Sequence, residues 1–301
     1  MSNSSAITEN ESAQNVTVMR HLVRFLESEK EKGRSHVLLD SDARQVLRQM
    51  ATKSPAKIDS SASTPRASTK NVTASHKADD IALPELKTVS SSNSKSEQLA
   101  QLEQQVRGWL GGNFPCTLRQ TLVFSSGSPD ARLMLIGEAP GHEEEKALRP
   151  FEGPAGKKLD KILEAMGLDR DEVYVTNLVK FRPATPRQTT NNRKPSAAEV
   201  AAFIPVIREE IRIVRPACII ALGATPLEAL LQSDSTVASM RGSWHEFDGI
   251  PLRVTYHPSY LLQSGESLAV KRMIWEDMLA VMEKLGMDIS AKQRGYFLPN
   301  A

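Results

Sequence analysis

Three polar residues with useful chemistry, Glu138, Asn177 and His257, each follow a short apolar run. A carboxylate at Glu138 could orient or deprotonate a water. A neutral imidazole at His257, stiffened by Pro258, could donate a hydrogen bond to negative charge developing on a leaving group. One such preorganised donor is worth about 3 kcal/mol of transition-state stabilisation. Asn177 offers both a donor and an acceptor, which suits bidentate reading of an amide-like ring edge. Phe151 could stack on that ring. Singly, each has a plainer reading: a solvated acid, a capped loop histidine, a turn-forming asparagine, a core phenylalanine. Three unrelated strands that each end in a chemically useful residue exceed what chance loops supply.

The elements that must position these groups can be read from the same sequence. Leu133-Met134-Leu135-Ile136, bounded by Gly137, reads as a strand buried on both faces. Gly137-Glu138-Ala139-Pro140-Gly141 breaks it in a tight turn, where glycine permits close approach of another molecule and proline stiffens the chain. Glu138 then stands at the strand's carboxyl end, the edge where open α/β sheets bind ligands. The acids Glu143, Glu144 and Glu145, taken alone, read as a solvated surface run. Neither GxGxxG nor GxxxxGK[ST] spacing occurs here, so this is not a phosphate-binding glycine loop.

Further strands are expected at 121–124, 173–177 and 218–222, with a hairpin of 244–247 and 252–255 across Asp248-Gly249. Helices are expected over 96–110, 154–166, 196–214, 223–231 and 267–285, with Pro205 kinking or breaking the third. This alternation predicts an α/β fold: a three-layer α/β/α sandwich around a short, mainly parallel sheet. Glu138, Asn177 and His257 would then share one rim.

The chain has 301 residues, 40% of them hydrophobic, and a formal net charge of +2. No apolar run approaches the ~18 residues a membrane span needs, and the start lacks an apolar signal core, so a cytoplasmic protein is expected. Cys116 and Cys218, the two cysteines, cannot make a disulfide scaffold or a four-cysteine metal site. Residues 1–98 hold 14 Lys/Arg against 12 Asp/Glu, and the remainder 24 of each. A polyanion would therefore be met by a local basic patch. The loop 180–198 supplies one, with Lys180, Arg182, Arg187, Arg193 and Lys194 and no acid. Phosphate contact is one reading and a solvated loop the other.

Ahead of the main domain, 15–32 and 42–50 have helical spacing, making residues 1–52 a helical N-terminal extension. A partner-docking element is the functional reading, and a terminal ornament is slightly favoured. Residues 53–96, rich in Ser, Thr, Lys and Pro, cannot bury enough apolar surface to order and read as a disordered linker. The main domain is expected over 97–290, with 291–301 as a tail.

In order and spacing, GEAPG, RPFEGPAG, VYVTNLVKFRP, RPACIIALG and MRGSWHEFDGIPLRVTYHPSYLL resemble the family 4 uracil-DNA glycosylases, over about residues 112–285. The resemblance implies hydrolysis of the N-glycosidic bond of deoxyuridine in DNA by a repair enzyme; with no lysine in the place of Glu138 it should be monofunctional, and a monomer is expected. It implies that Glu138 acts on the water and His257 lies near the leaving base, with Glu144 a second acid. Phe151 would stack on an everted uracil and Asn177 read its edge, beside Gly137, Ala139, Pro140 and Gly141. Pro258, Ser259, Tyr260, Leu261 and Leu262 would press into the duplex. Base extraction costs a few kcal/mol, least for a mispaired base.

Family 4 enzymes also carry an iron–sulfur cluster on four cysteines. Here Lys-Phe181-Arg-Pro replaces Lys-Cys-Arg-Pro and Phe203 stands at the later helix position, so neither a metal nor any other cofactor is expected. Phe181, Phe203 and Phe114 are expected to form an apolar plug instead. A non-catalytic DNA-binding or replication-accessory module, and a glycosylase for another deaminated base, are the alternatives.

Overall fold

The computed structural model describes residues 83–110, except 88, 90 and 92, and residues 114–298. The expected helices within 1–52, and the linker as far as residue 82, lie outside the described residues. All described residues belong to the unit Ala74–Ala301.

Helix α1 (Lys95–Arg107) opens the domain, and Ser94 caps it through a reciprocal capping box with Glu97. Strands β1 (Leu118–Leu122) and β5 (Phe181–Pro183) pair antiparallel as a small separate sheet. The main sheet holds β2 (Ser125–Gly127), β3 (Leu133–Gly137), β4 (Tyr174–Asn177), β6 (Cys218–Leu222), β7 (Trp244–Phe247) and β8 (Ile250–Thr255). Its order is β2-β4-β3-β6-β8-β7. The inner four strands run parallel, and β2 and β7 are antiparallel edges.

Period-2 alternation divides these strands between two cores. Met134, Ile136, Ile219, Ala221, Leu252 and Val254 face the layer of α1 and α4 (Ala197–Val214), with α5 (Ala224–Leu231) beside them. Leu133, Leu135, Val175, Ile220 and Leu222 face α3 (Pro154–Met166) and α8 (Leu268–Lys284). Strands buried on both faces need apolar residues at every position, as the sequence of β3 and β6 supplies. The three-layer α/β/α arrangement follows.

Helix α3 begins with Pro154 and ends at the left-handed Gly167, as the proline–glycine punctuation predicts. Of the two outcomes expected at Pro205, a kink or a break, the break does not occur: helix α4 continues through it. Pro205 lies on the exposed face, and so does Ala201, whose carbonyl loses its helical partner, so water can take the bond. The domain also begins earlier than residue 97. Leu83, Leu86 and buried Val89 pack on the core, and Lys87 exchanges hydrogen bonds with the Gln105 side chain. The C-terminal stretch likewise docks. After the short α9 (Ala291–Arg294), Tyr296 packs against Trp275, whose indole donates to the Gln293 carbonyl at 2.6 Å.

The chain leaving β3 passes through the short α2 (His142–Ala147) and turns to α3 on one face, and the chain leaving β6 turns to α5 on the other, with the short α6 (Val237–Met240) after it. Neighbouring strands whose following helices part to opposite faces leave a crevice at their carboxyl ends. That topological switch point lies where Glu138 follows β3.

Candidate active site

A cleft of about 600 Å³ opens at this switch point, and Glu138, Phe151, Asn177 and His257 all line it. They come from four separate segments of chain. Gly137 makes the close packing possible. A Cβ there would sit 2.3 Å from Asn177 Oδ1 and 2.6 Å from Phe151 Cζ, so only glycine lets both side chains lie across the end of β3. Ala139, Pro140 and Gly141 line the cleft beyond it.

Phe151 has φ 58°, a left-handed conformation unusual for a bulky residue and associated with constrained functional positions. Two neighbours hold it. Arg170 Nη2 donates to the Phe151 carbonyl at 2.8 Å, and Gly156 approaches that carbonyl so closely that a Cβ would lie 1.7 Å from the oxygen. The buried ring lies 5.6 Å from the His257 ring, centroid to centroid.

Glu144, expected as a second acid, lines the cleft and also braces the turn. Its carboxylate accepts from the Gly141 N–H at 3.0 Å, the Glu152 N–H at 3.1 Å and the Gly153 N–H at 2.8 Å. Both oxygens are therefore engaged by the backbone, and the two sides of the 141–153 segment are tied together. Glu145 is no solvated acid either, since Arg182 and Arg119 bind it at 2.9 and 3.1 Å.

Burial raises the proton affinity of Glu138 above that of an ordinary glutamate, and Glu228 adds to this. A hydrogen bond from Thr225 and the charge of Lys194 oppose it. His257 moves the other way. Burial pushes its pKa down to about 4, against the pull of Glu144, so the ring is neutral at pH 7. The local backbone also selects its tautomer. Ser259 N–H, which can only donate, points at His257 Nδ1 from 3.2 Å, and Ser259 Oγ lies 2.8 Å from the same atom. Nδ1 is thus an acceptor, and the proton resides on Nε2.

The basic loop divides differently from its composition. Lys180 and Arg182 are buried, which corrects their assignment to phosphate contact. Lys180 forms an ion pair with Glu210 in the core, both side chains at 0% exposure. Tyr174 donates to Glu210 at 2.8 Å, and Thr176 lies 3.0 Å away. Arg182 donates to the Thr189 and Asn191 carbonyls and to Asn192 Oδ1, clipping the loop over the cleft, where Thr190, Asn192 and Arg193 line the wall. Arg193 is taken up by Glu199 and by the Ala184 and Thr117 carbonyls. Arg187 is exposed, and Lys194 is exposed beside Glu228 at 3.2 Å.

Because removing one partner strands a buried charge, Lys180→Ala is expected to cost about 3–5 kcal/mol of folding stability in urea unfolding. Lys194→Ala, from an exposed pair, should cost less than about 1 kcal/mol. Similar small losses in both would contradict the assignment of Lys180 to the core.

The segment after His257 is a helical turn, α7 (Ser259–Gln263), where a loop was expected. Pro258 and Leu261 are buried, so neither can press on a partner. Tyr260 and Leu262 are the exposed pair, at 39% and 41%, and Tyr260 stacks on Tyr256. Ser259 faces inward, to His257.

At the two positions where the resemblance would place cluster cysteines stand Phe181 and Phe203, and they pack with other aromatic side chains. Phe114 meets Phe181 edge-on at 4.8 Å, and Phe203 packs on Phe181 at 5.8 Å and on Trp109 at 5.9 Å. Of the two thiols, Cys116 is exposed, and Cys218 lies in the core on the opposite side of the sheet, held protonated by burial with a pKa near 12. This donor set does not fit an iron–sulfur cluster. Anaerobically purified protein is expected to contain no stoichiometric iron or acid-labile sulfide, and finding both would overturn this conclusion.

Sequence reasoning missed Thr225, Arg170, Asn192 and Gln263, of which Asn192 and Gln263 line the cleft. Thr225 carried a signal, a polar residue just past the Gly223 turn that ends β6.

The architecture and the cleft define a small α/β protein with a crevice at a switch point, walled by an acid, an amide, an aromatic ring and a neutral imidazole. A sequence profile of the uracil DNA glycosylase superfamily matches residues 124–279. A type-4 uracil-DNA glycosylase of Thermotoga maritima is 37% identical over 162 residues, 53% of this chain and 81% of that protein. One of Sulfurisphaera tokodaii is 34% identical over 174 residues, covering 55% and 75%. A type-5 uracil-DNA glycosylase of Pyrobaculum aerophilum is 32% identical over 164 residues, covering 49% and 70%. The chain belongs to the uracil DNA glycosylase superfamily.

Proposed function

We propose that this protein is a DNA repair glycosylase that hydrolyses the bond between uracil and deoxyribose, without cleaving the strand. The observation that carries the reading is the meeting of Glu138, Phe151, Asn177 and His257 in one cleft. Type-4 uracil-DNA glycosylases among its relatives support it.

In this reading the everted uracil slides beside Phe151, and Asn177 pairs with its amide edge. The C1′–N1 bond breaks first, and the bonding electrons leave with the base as an anion. The Nε2–H of His257 donates to the uracil oxygen on which that charge collects. A water on the other side of the oxocarbenium-like sugar adds to C1′ and gives its proton to Glu138. A carboxylate at Glu138 cannot form a Schiff base with the sugar, so the product is an intact strand with an abasic site. DNA is the partner, with Arg187 and Lys194 as the loop cations exposed for phosphate contact and Tyr260 and Leu262 as the apolar surface facing the duplex. The enzyme would act as a cytoplasmic monomer, with residues 1–52 as a helical extension and a linker after it that gives way to the main domain before residue 97, where Leu83, Leu86 and Val89 pack on the core.

The test is incubation with single- and double-stranded oligonucleotides containing uracil or hypoxanthine, followed by alkali. Strand cleavage is expected at uracil and only after alkali. Binding without cleavage would favour the accessory-module reading, and cleavage without alkali would remove the monofunctional one.

A further inference from the structure

Thr225 takes no part in the reaction proposed above, yet it is 3% exposed and its hydroxyl donates to Glu138 Oε2. The contact spans 87 residues and joins the turn after β3 to the first turn of α5. Both ends are fixed. Glu138 follows β3, and its main-chain carbonyl accepts from the Val179 N–H at 3.1 Å. Gly223, at φ 98°, turns the chain sharply out of β6, and its N–H donates to the Thr255 carbonyl at 2.9 Å. Leu227 and Leu230 then anchor α5 in the core. At 3% exposure on such a frame the side chain has little room to change rotamer, so the hydroxyl stays where the carboxylate must come.

We propose that Thr225 is the positioning residue for Glu138, its hydroxyl holding the carboxylate in the orientation that faces the water's approach to the sugar. The proposal rests on the glycosylase reading and deepens it. A buried carboxylate without a donor would prefer to take up a proton, and a protonated Glu138 cannot accept one from water. The Thr225 bond works against that loss. The other charged or titratable groups around Glu138 are Lys194 on the basic loop, Glu228 on α5, and, lining the same cleft, Arg193, His142, Glu143, Glu144 and His257. His257 is neutral well above pH 4 and contributes no charge over the working range.

Thr225→Val removes the donor while conserving shape, and Thr225→Ser keeps the donor. Loss of one hydrogen bond to a charged group corresponds to about ten- to hundred-fold in rate. Thr225→Val is expected to lower single-turnover kcat by that factor, to move the acidic limb of the pH–rate profile to higher pH, and to leave KM unchanged. Thr225→Ser should return to within a few-fold of the parent, with the limb in place. Parent-like rate and limb in Thr225→Val would overturn the proposal. So would equal losses in Val and Ser with the limb unmoved, which is the behaviour of packing alone. Carboxyl-carbon NMR of protein labelled at glutamate, with Glu138→Gln for assignment, reads the same tie without catalysis. The Glu138 titration midpoint should rise in Thr225→Val, and an unchanged midpoint would also overturn the proposal. A parent enzyme that releases no base would sink the glycosylase reading, and the titration would still decide the Thr225 tie.

Discussion

Glu138→Gln is expected to lower single-turnover excision of uracil by about 10²–10⁴-fold, the usual range for a positioned general base. Glutamine keeps the size of the side chain and can still accept from Thr225, so the change isolates the proton acceptor. Affinity for uracil-containing duplex, measured by fluorescence anisotropy, should stay within a few-fold of the parent, because the cleft wall is preserved. The pH profile adds a second readout. Burial raises the proton affinity of Glu138, so parental kcat should fall as pH drops through a midpoint above that of an ordinary glutamate. His257 titrates near 4 and adds nothing until the solution is more acidic. In Glu138→Gln the upper limb should disappear. A variant that excises at the parental rate with the limb intact would remove Glu138 from the chemistry.

His257→Ala is expected to cost about 10²–10³-fold in kcat, the measured scale for one preorganised donor to a developing anion. The neutral ring is what the role needs. A charged imidazolium would have to be held in a buried cleft, whereas an Nε2–H fixed by the Ser259 contacts to Nδ1 is already aimed. The dependence on leaving group distinguishes this role from simple packing. A more acidic base such as 5-fluorouracil carries its negative charge with less help, so the gap between parent and His257→Ala should narrow with it. An identical deficit for uracil and 5-fluorouracil would place His257 elsewhere in the reaction. The Phe151 ring beside it makes stability a necessary control, and the thermal midpoint of the variant should match the parent within a few degrees.

Strand β6 and helix α3 were legible to the residue, and β3 nearly so. An apolar run with a glycine at its end, or a proline-opened amphipathic stretch with a glycine behind it, specifies an element through its own atoms. The linker boundary was less legible. Leu83, Leu86 and Val89 look like isolated apolar residues in a polar segment, and only the core surface they cover gives them a place. Helix α7 looks like a loop in sequence because five residues carry no detectable period. Whether Pro205 kinks, breaks or merely sits in its helix is not legible in sequence, because the cost depends on whether water can reach the freed carbonyl, which is a matter of burial.

The basic loop is the plainest divergence. In sequence, Lys180 and Arg187 are equivalent cations seven residues apart. One lies in the core on Glu210 and the other in solvent, and the partner that separates them comes from α4, 30 residues downstream of Lys180. Local pattern determined which residue ends each strand, since alternation with period 2 and the turn residues that stop it are properties of neighbouring atoms. That is why Glu138, Asn177 and His257 could be named in advance. Which charges are spent on folding, which apolar residue of 258–262 reaches solvent, and that Thr225 meets Glu138 were decided by the order β4-β3-β6-β8. Strand order brings together groups far apart along the chain, and no residue carries that proximity by itself.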